Sequence, residues 1–281
     1  MNRANEASIR ELITAAVKIL GSDTGRLDAE VLLAGILKKN RSHLHAWPEK
    51  ILPRKTCEQF RQLVQRRASG EPVAYLTGQR EFWSLPLGVN PDTLIPRPET
   101  ETLVALALEK IPPGAGLHVA DLGTGSGAIA LAVAHERPLC RIVATDASAR
   151  ALETAAANAR SLGIGNIRFL HGNWCDPLPP EPFDLILSNP PYIEEQDPHL
   201  ERGDVRFEPR AALAAGPEGM DDLDRIVACA HRHLRQQGWL MLEHGYRQAE
   251  RVKMRLTEHG YLDIRCHRDA AGRDRVCMGR K

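Results

Sequence analysis

The residues that stand out for chemistry in this 281-residue chain are Asn189, Pro190, Pro191 and Tyr192, which follow the apolar run 183–188. Neither proline has an N–H to give to a neighbouring strand, and the first proline keeps Asn189 out of the helical region. The tetrapeptide therefore holds an amide side chain, two free carbonyls and an aromatic ring at the end of a strand. This arrangement favours binding of a small planar group that carries an NH2. A strand followed by a plain proline-rich turn is the alternative from these four residues alone.

A glycine-rich loop lies upstream, where residues 121–127 read Asp-Leu-Gly-Thr-Gly-Ser-Gly at a predicted strand-to-helix junction. Glycines there let the backbone pass close to a ligand. The next predicted strand ends at Asp146, 23 residues after Gly123, and a carboxylate at that place can accept hydrogen bonds from both hydroxyls of a ribose. Loop and acid together predict a cofactor that carries adenosine. A glycine turn followed by an unrelated surface aspartate is the alternative.

The identity of the cofactor depends on charge. Asp121 directly precedes the glycines, and its charge would repel the pyrophosphate that a dinucleotide places at a helix N-terminus. The same charge suits S-adenosylmethionine, which carries a sulfonium and an ammonium. Trp174 follows the third predicted strand, where an adenine ring should lie, although a partly buried core aromatic would also fit. A nicotinamide-dependent oxidoreductase matches the glycine loop but leaves residues 189–192 unexplained.

The strand end then explains the chemistry. An amide or aryl-amino nitrogen attacks a sulfonium methyl poorly, because its lone pair is delocalised. If the Asn189 side-chain oxygen and the Pro190 carbonyl accept its two N–H groups, the nitrogen points at the methyl while Tyr192 lies against the planar face. Such alignment can supply ~7–11 kcal/mol. No strong base is needed, since the nitrogen becomes acidic only after transfer. We therefore expect Asn189, Pro190 and Tyr192 to carry catalysis.

Alternating strand and helix patterns from residue 117 onward predict an α/β fold. The predicted strands are 117–122, 141–145, 167–171, 183–188 and 238–243, with two more at 261–267 and 275–279. The predicted helices are 127–135, 148–162, 221–236 and 247–259. This order predicts a doubly wound, mostly parallel seven-stranded sheet. Its last strand is expected to return antiparallel through the turn at 269–272.

The first quarter of the chain has a different pattern, which predicts a small all-helical domain over residues 1–74. Apolar spacing predicts helices at 5–20, 29–38 and 55–69, the second capped by Asp28, with a turn at 42–46. Residues 75–95 mix aromatic and apolar residues with Gly and Pro, which predicts a β-hairpin connector. A catalytic domain over 96–281 follows. In it Arg97, between two prolines, is either a salt-bridge partner of Glu99 or Glu101 or a member of the site.

Composition excludes several classes of function. Hydrophobic residues make up 43%, charged residues 26%, and the net charge is +1, so no strong attraction to nucleic acid or membrane is expected. Residues 1–75 hold 13 Lys and Arg against 8 Asp and Glu, whereas the remainder holds 24 against 28. The basic first quarter could face an acidic partner such as RNA, or form an ordinary solvated helical surface.

The cysteine spacing and the first residues of the chain indicate in which cellular compartment the protein is expected. The six cysteines show no Cys-x-x-Cys pair and no zinc-ligand spacing, which predicts no metal site and a reducing compartment. Residues 1–6 lack the apolar segment of a secretory signal. No apolar run approaches the ~18 residues that a membrane span requires. We therefore expect a cytoplasmic protein.

From about Pro72 onward the chain resembles the release-factor glutamine methyltransferases, the HemK-type family. The segments that carry the resemblance are 70–76 (Gly-Glu-Pro-Val-Ala-Tyr-Leu), 94–101 (Leu-Ile-Pro-Arg-Pro-Glu-Thr-Glu), the glycine loop, 188–193 (Ser-Asn-Pro-Pro-Tyr-Ile) and 204–209 (Asp-Val-Arg-Phe-Glu-Pro). The helical N-terminal unit also matches in size and position. The resemblance covers nearly the whole chain.

The resemblance implies a class I S-adenosylmethionine-dependent methyltransferase fold. It implies methylation of the side-chain amide of the glutamine in the Gly-Gly-Gln motif of class 1 peptide chain release factors, and so a part in translation termination. The implied residues for the methionine end of the cofactor are Gly123, Thr124, Gly125, Ser126 and Gly127. Asp146 would bind the ribose, Trp174 would flank the adenine, and Asn189 would contact both cofactor and substrate. The implied residues that hold the glutamine are Asn189, Pro190, Pro191 and Tyr192. We expect no metal and no stable nucleic-acid or membrane partner.

Two other functions compete. An adenine-amino DNA methyltransferase would also use Asn-Pro-Pro-Tyr, but the catalytic part is net acidic and too short to include a target-recognition domain. A non-catalytic S-adenosylmethionine-binding assembly module, with the helical unit as docking platform, would not need an amide-binding site at the reacting edge.

Overall fold

A computed structural model describes residues 6–281. The expectations for the start of the first helix and for a missing signal segment fall partly on residues 1–5, outside the described residues. The chain divides into a helical unit that ends at Gln79 and a second unit, Arg80–Lys281.

From residue 6 onward, the helical unit packs five helices and a two-stranded ribbon around its own core. The helices are α1 (Ile9–Leu20), α2 (Gly25–Leu37), α3 (Arg41–Ala46), α4 (Arg54–Ala68) and α5 (Val73–Thr77), and the strands are β1 (Ala7–Ser8) and β2 (Ile51–Leu52). The two strands pair antiparallel. The core consists mainly of buried leucine, isoleucine, valine and phenylalanine side chains from α1, α2 and α4, so apolar spacing at helical period accounts for this unit.

Local hydrogen bonds set the helix ends. Helix α1 begins at Ile9 because Ser8 and Glu11 form a capping box, in which the Ser8 side chain accepts the Glu11 N–H and the Glu11 carboxylate accepts the Ser8 N–H. The prediction that Asp28 caps α2 is wrong: the helix begins at Gly25, and Asp28 within it pairs with Arg67 at 2.8 Å. The predicted turn at 42–46 is also wrong. It is the short helix α3, which Asn40 caps.

A hairpin begins at the boundary between the two units, and the second unit then alternates strands and helices. Strands β3 (Gln79–Phe82) and β4 (Leu85–Gly88) form a two-stranded sheet. The further strands are β5 (His118–Leu122), β6 (Arg141–Asp146), β7 (Ile167–His171), β8 (Phe183–Ser188), β9 (Leu234–Glu243), β10 (Leu262–Arg268) and β11 (Asp274–Arg280). The helices are α6 (Glu101–Lys110), α7 (Ala128–Glu136), α8 (Ala149–Leu162), α9 (Asp221–His233) and α10 (Ala249–Glu258).

The predicted fold class is confirmed. Strands β5 to β11 form one seven-stranded sheet in the order β10-β11-β9-β8-β5-β6-β7. The pairs β5·β6, β6·β7, β5·β8 and β8·β9 are parallel, and β11 lies antiparallel between β9 and β10. The order reverses direction at β5, and ligands of open α/β sheets bind at the carboxyl ends of the strands that flank such a switch.

Two apolar layers enclose this sheet, as a doubly wound fold requires. One core contains buried side chains of α6 and α7, and the other contains side chains of α9 and α10. The predicted helix at 221–236 ends earlier, at His233, because Leu234 already begins β9. Among the helices of residues 6–281, none is long and apolar enough to cross a membrane.

Asn158 on α8 joins three parts of the second unit. Its side chain is 6% exposed; Oδ1 accepts the Gly88 N–H at 2.7 Å, and Nδ2 donates to the carbonyls of Gly88 and Ser126 at 3.0 and 2.9 Å. One amide thus ties the hairpin to the glycine loop. The hydrogen bonds leave no polar atom of this side chain unpaired.

We expect Asn158→Ala to lower the free energy of unfolding by about 1–3 kcal/mol, because buried main-chain groups lose their partners. Urea denaturation followed by tryptophan fluorescence measures the change. Glu153→Ala, an exposed position on the same helix, is the control and should change the free energy by less than about 0.5 kcal/mol. Equal effects of the two substitutions would contradict this role.

Candidate active site

Strand register brings the chemistry-bearing residues to one edge of the sheet. Leu122, the last residue of β5, is paired with Thr145 of β6 on one side and Ser188 of β8 on the other. The Ser188 hydroxyl donates to the Leu122 carbonyl at 2.7 Å. The glycine loop, Asp146 and Asn189 each follow one of these three strands and therefore lie side by side. This juxtaposition is the one that the sequence pattern predicted.

The glycine loop is hydrogen-bonded to β6 and packs against the ring of Trp174. The N–H groups of Gly123 and Thr124 both donate to the Thr145 carbonyl at 2.9 Å. Gly123 has a φ of +72°, and a Cβ atom there would lie 2.7 Å from Cζ3 of Trp174. Only glycine fits, because the dihedral and the ring both exclude a side chain. Trp174 itself has a φ of +42°, an unfavourable conformation for a bulky residue that the surrounding contacts hold in place.

Asp146 is oriented by two main-chain donors. Its Oδ2 accepts the Gly125 N–H and its Oδ1 accepts the Ser148 N–H, both at 2.8 Å. Burial raises the pKa of this carboxyl, and the two hydrogen bonds partly offset the effect. Each carboxylate oxygen can accept a further hydrogen bond. The side chain is therefore held in one orientation and keeps acceptor capacity for a ligand.

These elements line a cavity of about 730 Å³, a size typical of cofactor sites. Among the predicted site residues, those that line it are Gly123, Gly125, Asp146, Trp174, Asn189 and Pro191. Thr124, Ser126, Gly127, Pro190 and Tyr192 do not line it. The residues of the second group lie behind those that line the cavity.

Asp121 lies beneath the glycine loop rather than in the cavity. Its Oδ2 accepts the Thr124 hydroxyl at 2.6 Å and the Ala130 N–H at 3.2 Å, and its Oδ1 is buried without a partner in the described chain. Burial raises its pKa to about 7. Asp121 and Thr124 thus fix the loop to the start of α7. Asp121 itself does not line the cavity.

Ser126 and Gly127 are packed into the protein. The Ser126 carbonyl accepts a hydrogen bond from Asn158 at 2.9 Å. At Gly127 a Cβ atom would lie 2.9 Å from Cδ1 of Leu131, so this glycine permits close packing of the loop on α7 and α8.

The Asn189 side chain forms a hydrogen bond through its NH2 group but not through its oxygen. Its Nδ2 donates to the Thr100 hydroxyl at 3.1 Å. Within residues 6–281 neither its Oδ1 atom nor the Pro190 carbonyl accepts a hydrogen bond. Asn189 Oδ1 and the Pro190 carbonyl are therefore unpaired acceptors at the end of the strand.

Tyr192 points away from the cavity toward a buried carboxyl. Its hydroxyl donates to Oε1 of Glu243 at 3.2 Å, and its carbonyl accepts the Gln248 amide at 3.0 Å. Burial and the neighbouring Glu243 raise the pKa of the Tyr192 hydroxyl far above its usual range. The expected contact between the ring and a planar substrate is therefore not evident from the cavity lining.

Arg97 has a partner that the sequence did not indicate. Its guanidinium pairs with Glu208, whose side chain is fully buried, and the second oxygen of Glu208 accepts the Ile95 N–H at 3.0 Å. The expected pairing with Glu99 or Glu101 is wrong: Glu101 instead accepts the Trp83 N–H at 2.9 Å. The segments 94–101 and 204–209 are thus one structural unit beside the site.

Several lining residues were not predicted from the sequence as site residues. They are Pro91, Asp92, Thr93, Leu94, Ala147, Ser148, Ala211, Asp222 and Arg225. Of these, only Ser148 could have been found beforehand, since it is an N-cap candidate two residues after Asp146; the others come together only through the tertiary fold.

The cysteines differ from expectation. The structure pairs Cys175 with Cys229, which line the cavity beside Trp174, and pairs Cys266 with Cys277 across β10 and β11. Sequence spacing had favoured reduced thiols, but such spacing does not reveal partners distant in the chain. In the described chain, His244 lies with Cys266 and Cys277 so that three potential ligand atoms fall within 4.8 Å. Both sulfurs of that cluster belong to the disulfide.

Two family models match this chain. The model described as PrmC N-terminal domain matches residues 10–78, and the model described as Methyltransferase small domain matches residues 100–205. The first falls on the helical unit, and the second begins beside Thr100 and includes the glycine loop, Asp146 and residues 189–192.

Two solved structures share the fold. A methyltransferase from Pyrococcus furiosus has a TM-score of 0.54 at 19% identity, covering 79% of this chain and 98% of that one. The ribosomal protein L11 methylase of Lactobacillus delbrueckii subsp. bulgaricus has a TM-score of 0.51 at 24% identity, covering 69% and 84%. At these identities the likeness concerns the fold alone.

Curated relatives are much closer in sequence. The release factor glutamine methyltransferase of Aliivibrio fischeri is 47% identical over 276 residues, covering 97% of each chain. That of Vibrio cholerae is 51% identical over 260 residues, covering 92% of this chain and 91% of the relative. Because such identity extends over nearly the whole length, the chain belongs to the release factor glutamine methyltransferase family.

Proposed function

We propose that this protein transfers a methyl group from S-adenosylmethionine to the side-chain amide nitrogen of the glutamine in the Gly-Gly-Gln motif of class 1 peptide chain release factors. The observation that carries the proposal is the pair of unpaired acceptors at the end of β8, Asn189 Oδ1 and the Pro190 carbonyl. They lie at the same sheet edge as the glycine loop and Asp146.

The residues present fit S-adenosylmethionine. Asp146, already oriented by two N–H groups, would accept the ribose hydroxyls. The loop 123–127 would approach the methionine end, and Trp174, whose ring lies over Gly123, would flank the adenine. When bound, S-adenosylmethionine supplies an electrophilic methyl group on a sulfonium.

The acceptor is held by two hydrogen bonds. A primary amide nitrogen offers two N–H donors in one plane, and Asn189 Oδ1 and the Pro190 carbonyl would take one each. Proline at 190 and 191 stiffens the backbone that carries both acceptors. Holding the nitrogen in one direction replaces the strong base that its weak nucleophilicity would otherwise demand, because alignment alone can supply ~7–11 kcal/mol.

Tyr192 and Pro191 complete this end of the site. Pro191 lines the cavity, and Tyr192 is fixed at its hydroxyl by Glu243 and at its carbonyl by Gln248. Tyr192 would contribute mainly by holding the backbone of 189–192 in place. Because the Tyr192 side chain does not line the cavity, its ring would contact the glutamine amide only if the release-factor segment that carries the glutamine binds outside the cavity.

The helical unit is proposed to recognise the release factor. Four large apolar side chains of this unit are exposed, Ile19, Leu27, Trp47 and Ile51, and exposed apolar groups of this kind suit a protein partner. The domain assignment follows the sequence: 1–74 for recognition, 75–95 as connector and 96–281 for methyl transfer. We place the protein in the cytoplasm with release factors as its partners and no stable nucleic-acid or membrane partner.

Methyl transfer to competing acceptors tests the proposal. Methyl-labelled S-adenosylmethionine is supplied with the protein and either a purified class 1 release factor or duplex DNA. We expect label on the release factor and none on the DNA. Label on DNA alone would identify an adenine-amino DNA methyltransferase, and label on neither with intact cofactor binding would favour a non-catalytic binding module.

We expect Asp146→Ala to weaken S-adenosylmethionine binding by about 1–3 kcal/mol, because the ribose hydroxyls lose a charged acceptor. Isothermal titration calorimetry gives the affinity directly. Glu153→Ala, which changes an exposed acid on the helix after Asp146, should leave the affinity unchanged. An Asp146→Ala protein that binds as the wild type does would refute the ribose role.

Asn189→Ala should lower kcat for release-factor methylation at least ~100-fold, since the acceptor nitrogen loses its alignment. Cofactor affinity should fall only modestly. Glu194→Ala, an exposed change five residues further on, is the matched control for kcat. Unchanged turnover of Asn189→Ala would remove the basis of the proposed acceptor site.

A further inference from the structure

We propose that Gln248 is a positioning residue for methyl transfer. Its side-chain amide holds the acceptor segment, residues 189–192, so that the Pro190 carbonyl is in place to bind the acceptor amide. The inference rests on the proposed function, because it assigns the Pro190 carbonyl to that amide. Gln248 does not line the cavity, so it acts on the acceptor amide only through the segment that it holds.

The Gln248 side chain joins three separate parts of the second unit. The residue directly precedes α10 and is only 9% exposed. Its Nε2 donates to the Tyr192 carbonyl at 3.0 Å and to the Gly219 carbonyl at 3.1 Å. Its Oε1 accepts the Gly245 N–H at 2.8 Å. Both ends of the amide are therefore hydrogen-bonded.

The three partners also fix which way the Gln248 amide points. All of them are main-chain groups, two carbonyls that can only accept and one N–H that can only donate. If the amide were rotated by half a turn, its oxygen would face two carbonyl oxygens and its NH2 would face an N–H. Only asparagine and glutamine carry such an amide, and asparagine is shorter by one methylene group. Position 248 therefore suits glutamine in particular.

Two glycines let Tyr192 and Gln248 approach these main-chain groups closely. Gly219 has a φ of +66°, and a Cβ atom there would overlap the Tyr192 carbonyl oxygen. At Gly245 a Cβ atom would lie 2.9 Å from Oε1 of Gln248 and 3.5 Å from Cδ2 of Tyr192. A side chain at either position would displace Tyr192 or Gln248.

The first end of the acceptor segment is held by the sheet. Ser188, directly before Asn189, pairs with Leu122 of β5, and its hydroxyl donates to the Leu122 carbonyl at 2.7 Å. Proline at 190 and 191 then fixes two φ angles. Little rotation is left to absorb a displacement of the other end, so such a displacement reaches the Pro190 carbonyl.

The other end is held by Gln248 and by a short main-chain pairing. The Ile193 N–H donates to the Leu213 carbonyl at 2.9 Å, and the Ile193 carbonyl accepts the Ala215 N–H at 3.0 Å. These bonds act on the residue after Tyr192, whereas Gln248 acts on the Tyr192 carbonyl itself. Loss of the Gln248 amide would therefore leave the chain paired at Ile193 but release the peptide group next to the acceptor segment.

Gln248→Glu and Gln248→Met test the proposal. Glutamate has the shape of glutamine and can still accept the Gly245 N–H, but it presents an oxygen instead of donors to the two carbonyls. Methionine has a similar length and no amide. We expect kcat for release-factor methylation to fall at least ~10-fold in both variants, because misplacement of an aligning group is costly. Glu250→Gln, an exposed change on α10, should keep the wild-type kcat.

Calorimetry separates positioning from a structural role. S-adenosylmethionine should bind both Gln248 variants with the affinity and stoichiometry of the wild type, because Gln248 does not line the cavity. A structural role would instead lower the stoichiometry, since part of the protein would be unfolded, and would lower kcat in the same proportion. Loss of cofactor binding in both variants would therefore contradict the proposal.

A measurement independent of activity reports on the Tyr192 carbonyl. Of the four tyrosines, only Tyr192 is followed by isoleucine. Protein labelled with 13C-carbonyl tyrosine and 15N isoleucine therefore gives one signal in a carbonyl–nitrogen correlation spectrum, from the peptide between Tyr192 and Ile193. Its carbonyl shift should change in Gln248→Met, which loses the hydrogen bond, and stay the same in Glu250→Gln. An unchanged carbonyl shift in Gln248→Met would overturn the proposal.

The two readouts keep this inference distinct from the proposed function. If the wild type methylates a release factor and Gln248→Met does so equally fast, the positioning role alone fails, whether or not the carbonyl signal moves. If the wild type methylates no release factor, the proposed function fails, and the carbonyl signal alone decides whether Gln248 holds Tyr192.

Discussion

The site depends on the way β8 ends. Pro190 and Pro191 have no N–H to donate, so the ladder with β5 and β9 stops at Ser188. Asn189 and the Pro190 carbonyl therefore remain outside the sheet with unpaired acceptors. The register of β5 with β8 and β6 then places these acceptors beside the glycine loop and Asp146. Without the two prolines, strand pairing could continue past Ser188 and occupy the acceptor atoms that the proposed chemistry requires.

Buried carboxyls hold this edge in place. Asp121 fixes the glycine loop through Thr124 and Ala130, Glu208 fixes Arg97 and the main chain at Ile95, and Glu243 holds Tyr192. Burial of a carboxyl is unfavourable unless hydrogen bonds compensate. Three buried carboxyls thus hold segments next to one cavity. Such an arrangement is typical of a site in which fixed geometry matters more than the contribution of these carboxyls to stability.

Periodicity and turn chemistry were enough to predict the mostly parallel sheet, its antiparallel last strand, and the meeting of Gly123, Asp146 and Asn189 at the ends of parallel strands. Partners distant in the chain were beyond the same reasoning. Glu208 lies 111 residues from Arg97 and Glu243 lies 51 residues from Tyr192, and no local pattern links them. The N-terminal helix ends were missed for a smaller reason, since Asp28 satisfies the pattern of a cap but binds Arg67.

The most direct test of the account is the position of the transferred methyl group. After incubation of a class 1 release factor with the protein and S-adenosylmethionine, fragment mass spectrometry can locate the added methyl within the Gly-Gly-Gln peptide. The account predicts one methyl group on the side-chain nitrogen of the glutamine. A methyl group on any other residue or on a main-chain atom would contradict it.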